Sequence, residues 1–276
     1  MRFVSFMHRD RASWGCITGD RIADLGALPG APPDLKAAIA AGALNHRAGA
    51  ATLSRADVQL LPVVPAPAKI LCVGHNYETH RQETGRAKAE HPSIFTRFAD
   101  TLIGADQPIV RPAVSTMLDY EGELAVVIGK CGRKIAESDA MDHVAGFTCF
   151  NDASVRDWQW HTSQFIPGKN FPATAPFGPE LVTPEEIGNL SAVSVVTRLN
   201  GQIVQQATVA DMIFPIPKII AYVSTFTELA PGDVIATGTP GGVGAKRTPP
   251  LWMKPGDLVE VEIAGIGQLA NRVIAE

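Results

Sequence analysis

Charge is scarce in this chain, and neither sign dominates. Lys and Arg number 24 against 28 Asp and Glu in 276 residues, a formal net charge of -4 with His neutral. A nucleic-acid binder needs a basic footprint, so that class is excluded and small molecules are the expected partners. Cysteine is equally sparse. Cys16, Cys72, Cys131 and Cys149 are widely spaced, with no CxxC pair and no His cluster at zinc-finger spacing, so they read as small core residues rather than a thiolate zinc site. Long apolar runs are missing too: nothing approaches the ~18 uncharged residues of a membrane helix. The N-terminal MRFVSFMHRDRASW carries charges where a signal peptide needs an unbroken apolar core. No membrane partner is expected, and the default address is the cytoplasm.

What the chain does have is 46% apolar residues, 25 Gly and 21 Pro. A globule of this length buries roughly 75% of its unfolded surface, and turn-formers spread along the whole chain imply many short strands. The expected class is therefore α+β and β-rich, with short helices. Residues 2–7 and 13–25 alternate as a small meander of strands. PPDLKAAIAAG reads as a short helix with Pro33 near its start and Gly42 at its end. Leu61 to Ala68, LPVVPAPA, has three prolines in eight residues and is the best linker. It divides a small N-terminal β-rich domain, 1–66, from a second domain, 67–276. In the latter, KILCVG is a buried strand, NYETHRQETG a helical turn or two closed by Gly85, and Asn200-Gly201 the tip of a hairpin. Pro217 opens a helix that stops before Pro231-Gly232-Asp233, a tripeptide repeated at 255–257 and read as two β-turns.

The segment LDYEGELAVVIG carries the chemistry. Asp119, Glu121 and Glu123 are two apart, which on a strand sends all three to one face. A solvated edge strand is the alternative, but the acids run directly into Leu124-Ala125-Val126-Val127-Ile128, a run of the kind buried on both faces. Like-charged carboxylates beside a core are costly unless a cation neutralises them. With no Cys or paired His nearby, a hard ion suits: Mg²⁺, with Mn²⁺ or Ca²⁺ also able to serve. A third carboxylate is available at Asp152, before the helical-looking ASVRDWQW, where Arg156 and Gln159 would share its stripe. A helix N-cap is the competing role for Asp152.

In order, CVGHNYETHRQE, LDYEGELAVVIG, NDASVRDWQ, PGKNF and PGDVIATGTPGGVG resemble the fumarylacetoacetate hydrolase family over about residues 69–274. The resemblance implies a mixed β-roll, a homodimer, and a Mg²⁺ or Mn²⁺ site whose ligands fall on Glu121, Glu123 and Asp152. It assigns an acid–base dyad to His80 and Glu83 of NYxxHxxE, an enolate-stabilising role to Lys169, and substrate contacts to Arg156, Gln159 and Thr239. His75 stands where relatives often carry Arg or another residue. The Gly-rich loop has no GxxxxGK[ST] or GxGxxG register, so it is not a nucleotide site.

The implied activity is hydrolytic C–C cleavage of an acylpyruvate-like 2,4-dioxo acid, with water activated by His80 and Glu83. Two other reactions share the same enolate: oxaloacetate-type decarboxylation, and isomerisation or hydration of an unsaturated 2-oxo acid. A metal-stabilised binding protein without turnover is a reading from another class.

Overall fold

The run Leu124–Ile128 forms the centre of the molecule. In this computed structural model, which describes residues 1–44 and 52–276, strand Gly122–Ile128 is buried along its whole length between strands Val144–Asn151 and Val234–Ala236. Leu124, Val126 and Ile128 enter one apolar cluster, while Ala125 and Val127 enter another. That is the period of two a strand imposes, with both faces apolar because both are covered.

This strand belongs to a twelve-stranded mixed sheet. Its main path runs Thr52–Ser54, Arg21–Asp24, Arg11–Thr18, Arg2–His8, Ala175–Val182, Val144–Asn151, Gly122–Ile128, Val234–Ala236, Ile70–Gly74, Ser93–Arg97. Neighbours on the path are antiparallel except Val234–Ala236 beside Ile70–Gly74. The N-terminal meander continues this sheet through Arg2 opposite Val182 and Phe3 opposite Leu181. A five-stranded sheet, in the order Gln202–Thr208, Ser194–Leu199, Leu258–Ile263, Gly267–Ala275, Ile109–Arg111, covers one face. Its Val195, Val261, Ile263 and Leu269 share a core with Leu124, Val126 and Phe147. On the opposite face Phe3, Trp14, Leu35 and Ile39 pack against Ala125, Val127 and Phe150. The architecture is α+β and rich in strands, and among the described residues no helix is long and apolar enough to cross a membrane.

Local signals resolve as physical chemistry directs. Leu35–Ala40 is a helix whose Asp34 side chain accepts from Ala37 N at 2.7 Å. Asn200 and Gly201 form a two-residue hairpin loop, both left-handed, with Leu199 opposite Gln202. Pro217 lies in the first turn of helix Ile216–Phe226. Both Pro-Gly-Asp tripeptides are turns with the glycine at positive φ. Residues 61–69 lack regular structure, yet Val63 and Val64 are buried and Ser5 Oγ donates to Val63 O at 2.7 Å. One cysteine departs from expectation: Cys72 and Cys149 are buried, but Cys131 is exposed, its thiol directed at Glu228 Oε1 2.8 Å away. A surface carboxylate partner thus replaces the core environment expected of a small unpaired cysteine.

The central sheet positions one functional segment through Asn76, which is fully buried just after strand Ile70–Gly74. Its Nδ2 donates to Phe214 O at 3.0 Å and Thr237 O at 2.7 Å, and its Oδ1 accepts from Phe214 N at 2.8 Å. Asn76→Ala orphans three buried backbone groups, at about 1 kcal/mol or more each. We expect a loss of roughly 2–4 kcal/mol on that basis, read as a lower urea midpoint; an unchanged midpoint would contradict this role.

Candidate metal and active site

The expected continuous strand across LDYEGELAVVIG is interrupted. Leu118–Asp119 pairs with Ser154–Val155 in a separate two-stranded ladder, and the sheet strand begins only at Gly122. The three acids therefore do not share one face by simple alternation. Asp119 turns away, accepting from Gly244 N at 2.8 Å, Ala245 N at 3.0 Å and Arg156 Nε at 2.8 Å. Glu121 and Glu123 converge instead with Asp152, and one carboxylate oxygen from each lies within 4.8 Å of the others. Pairing of Gly122 with Asn151 sets this register, and Asp152 N donates to Glu121 O at 2.8 Å. Asp152 is not a helix N-cap, because the helix is the short Arg156–Gln159 and Val155 precedes it.

All three acids are buried, so their charges must be answered locally. Lys169 Nζ reaches Glu121 Oε2 at 2.8 Å and Asp152 Oδ2 at 2.6 Å. Arg97 Nη1 donates to the other Asp152 oxygen at 2.5 Å. Arg156 Nη2 lies 2.7 Å from Glu121 Oε1, close enough for an ion pair though out of line for a hydrogen bond, and its Nη1 donates to Gln159 Oε1 at 2.9 Å. Burial alone would raise the Glu121 carboxyl, but Lys169 and Arg156 overrule it and hold it well below its ordinary range. Burial works against the Lys169 ammonium, and the carboxylates of Asp152 and Glu121 outweigh it, so its pKa is raised.

Glu123 is the exception. It accepts from Gly238 N at 2.8 Å, and among the described residues no cationic side chain is bonded to it. Burial, then the charges of Asp152 and Glu121, pushes its carboxyl well above the ordinary value. Four buried acids (Asp119, Glu121, Glu123, Asp152) thus face three buried bases (Arg97, Arg156, Lys169), with the surplus negative charge at Glu123. A divalent ion fits this all-oxygen donor set. It would reverse the sign of the surplus and favour an anionic ligand.

Short elements deliver the remaining groups. Helix Glu78–Glu83 presents His80, whose Nδ1 is 2.7 Å from Glu83 Oε1, while Glu83 Oε2 accepts from Gly242 N at 2.8 Å. The carboxylate thereby fixes the ring and leaves Nε2 for proton transfer. Lys169 ends helix Ile166–Lys169, where a Cβ on Gly168 would come within 2.5 Å of Gln159 N. Only glycine lets these two short helices approach, and that approach brings Lys169 to the carboxylates. Thr239 Oγ1 donates to Gly122 O at 3.0 Å and accepts from Gln205 Nε2 at 2.8 Å. A cavity of about 110 Å³, room for several waters, is lined by His80, Glu121, Glu123, Arg156, Gln159, Lys169 and Thr239. His75, at its mouth, stacks on His80 with ring centroids 5.2 Å apart. Burial and the neighbouring His80 lower the pKa of His75 to about 4.

All nine residues singled out in sequence line or adjoin this one region. Sequence reasoning missed Arg97, 3% exposed at the end of strand Ser93–Arg97; its only signal was a lone arginine closing an apolar strand. It also missed what the Gly-rich loop does. The loop's amides at Gly238, Gly242 and Gly244 donate to Glu123, Glu83 and Asp119, so the loop cradles the protein's own carboxylates.

The chain is similar to known proteins. A family model described as "Fumarylacetoacetate (FAA) hydrolase C-terminal" matches residues 69–274. A mitochondrial oxaloacetate tautomerase of Homo sapiens is 43% identical over 224 residues, covering 80% of this chain and 71% of that protein. The oxaloacetate tautomerase YisK of Bacillus subtilis is 42% identical over 233 residues, covering 83% and 77%. A solved fumarylacetoacetate hydrolase from Exiguobacterium antarcticum superposes with a TM-score of 0.91 at 35% identity, covering 100% of both chains. By sequence and by fold alike, the chain belongs to the fumarylacetoacetate hydrolase family of enzymes.

Proposed function

We propose that the protein is a divalent-metal-dependent keto–enol tautomerase acting on oxaloacetate or a closely related 2-oxo acid. The observation that carries this is a single oriented acid–base pair, His80–Glu83, opposite the carboxylate cluster in a small cavity. Tautomerisation needs no more than that: the C2 hydroxyl of the enol loses a proton, C3 gains one, and no water is consumed. The similarity to oxaloacetate tautomerases at 42–43% identity supports the same reading.

A bound divalent ion, held by Glu121, Glu123 and Asp152, would act as Lewis acid toward the 2-oxo acid. His80 Nε2 moves the proton, and Glu83 keeps Nδ1–H aimed and steadies the imidazolium. Lys169, pinned between Glu121 and Asp152, stays an ammonium ion. It therefore does not serve as the base; its charge favours the enolate oxygen. Arg156 and Gln159 offer charge and an amide to the substrate carboxylate.

Hydrolytic C–C cleavage is the second reading, supported by the similarity to a fumarylacetoacetate hydrolase. It uses the same dyad to activate water, and oxaloacetate decarboxylation would use the same enolate. Product analysis separates them. With Mg²⁺ or Mn²⁺ we expect enol oxaloacetate to lose its absorbance while proton NMR finds only the keto form; pyruvate appearing as fast as the enol disappears would displace the tautomerase reading.

His80→Gln should lower kcat by roughly 10²–10⁴-fold with metal content intact, and a variant within twofold of the parent would remove His80 from the reaction. Glu123→Gln has a two-sided signature, because among the described residues of the site Glu123 is the buried acid without a basic partner. Metal affinity by calorimetry should fall at least about tenfold, whereas in chelator the variant should unfold at an equal or higher urea concentration. Unchanged metal affinity would refute Glu123 as a ligand.

A further inference from the structure

The edge strand of the five-stranded sheet, Gln202–Thr208, breaks the alternation of a strand. Val204 and Gln205 are both buried, with Ile203 and Gln206 exposed on either side. The cause is a β-bulge: Thr197 lies opposite Gln205 and Arg198 opposite Ile203, so Val204 has no counterpart across the ladder. A bulge takes one residue out of the pairing and re-aims its neighbours.

Both consequences of the bulge reach the Gly-rich loop. The Val204 carbonyl accepts from Arg247 Nη2 at 2.7 Å, and Arg247 Nε donates to Gly242 O at 3.1 Å. Gln205, 2% exposed, commits its whole carboxamide to the site. Its Oε1 accepts from Gly122 N at 3.0 Å, while its Nε2 donates to Thr239 Oγ1 and to Pro240 O, both at 2.8 Å. Gly122 is the residue between Glu121 and Glu123, and a Cβ there would come within 2.0 Å of Thr197 Oγ1. Only glycine between the two acids lets the second sheet come close enough for Gln205 to bond.

Thr239 and Pro240 lie between Gly238 and Gly242, whose amides support Glu123 and Glu83. One buried carboxamide therefore bridges the two halves of the site, the glutamates of the carboxylate cluster and the loop that holds the His80–Glu83 dyad. The side chain stands behind the cavity wall formed by Thr239 and is not part of the lining. The chemistry of the position is specific as well. A methionine fills the same volume with no hydrogen bond, and a glutamate offers no donor and adds a like charge beside the cluster.

We infer that Gln205 is a positioning residue. It holds the loop 238–242, and through Gly242 and Glu83 the His80 ring, at a fixed place relative to Glu121 and Glu123. The inference concerns placement and is independent of which reaction follows the shared enolate.

Backbone amide exchange of the Mn²⁺-loaded protein, read by mass spectrometry, tests this together with steady-state kinetics. In Gln205→Met the amides of residues 238–242 should exchange at least about tenfold faster, while those of 124–128 stay within about twofold of the parent. On the 2-oxo acid that the parent turns over, kcat should fall by roughly tenfold to a hundredfold with KM within about threefold, the split produced when the proton-transfer group is misplaced and the binding groups remain. Gln205→Asn, one methylene shorter, should show the same pattern, and it carries the test if Gln205→Met fails to fold. Unchanged exchange in the loop, equal acceleration in loop and central strand, or a loss carried by KM alone would each overturn the inference. The exchange result stands whether or not the tautomerase reading does.

Discussion

The constraint on which this structure turns is the burial of Asp119, Glu121, Glu123 and Asp152 within one small volume. Like charges out of water repel strongly and lose their hydration, so the fold must answer each one with a donor of fixed position. Much of the local architecture does this. Strand Ser93–Arg97 ends on the arginine that holds Asp152, helix Arg156–Gln159 starts on the arginine that bridges Asp119 and Glu121, and helix Ile166–Lys169 ends on the lysine between Glu121 and Asp152. A hydrophobic substitute for such a network is often as stable or more so, which points to function as the reason for keeping it.

The same constraint ties the acid–base helix to the carboxylate cluster. Gly238 N supports Glu123 and Gly242 N supports Glu83, four residues apart on one loop. His80, oriented by Glu83, is thus held in register with the carboxylate cluster by main chain rather than by a direct contact. Asn76 anchors the opposite end of the dyad's segment, bonding to Phe214 and to Thr237, which lies immediately before the loop.

Much of the fold was legible because the signals were local. The doubly apolar run 124–128, the Asn200-Gly201 hairpin, the Asp34-capped helix and the Gly85 helix stop each follow from a few adjacent residues. The carboxylates Glu121 and Glu123 were legible from the conflict between their charge and the strand beside them; Asp152 needed the family pattern, since its neighbour in space, Glu121, is far away in sequence. What escaped was non-local. Alternation alone carried Asp119 onto the face of Glu121, because nothing in the sequence marks the break at Tyr120. Arg97 escaped because its partners, Asp152 and Thr174, lie 55 and 77 residues away. Cys131 looked like a core residue by type and is placed at the surface by its loop.

The Gly-rich loop has one more consequence. Its donors to Glu123, Glu83 and Asp119 are peptide N–H groups, which every residue except proline supplies. A side-chain scan that truncates residues one at a time leaves this half of the charge compensation in place, whereas the half supplied by Lys169, Arg97 and Arg156 can be deleted by single substitutions. The network therefore has a mutationally buffered side and a fragile side, and the fragile side holds Glu121 and Asp152.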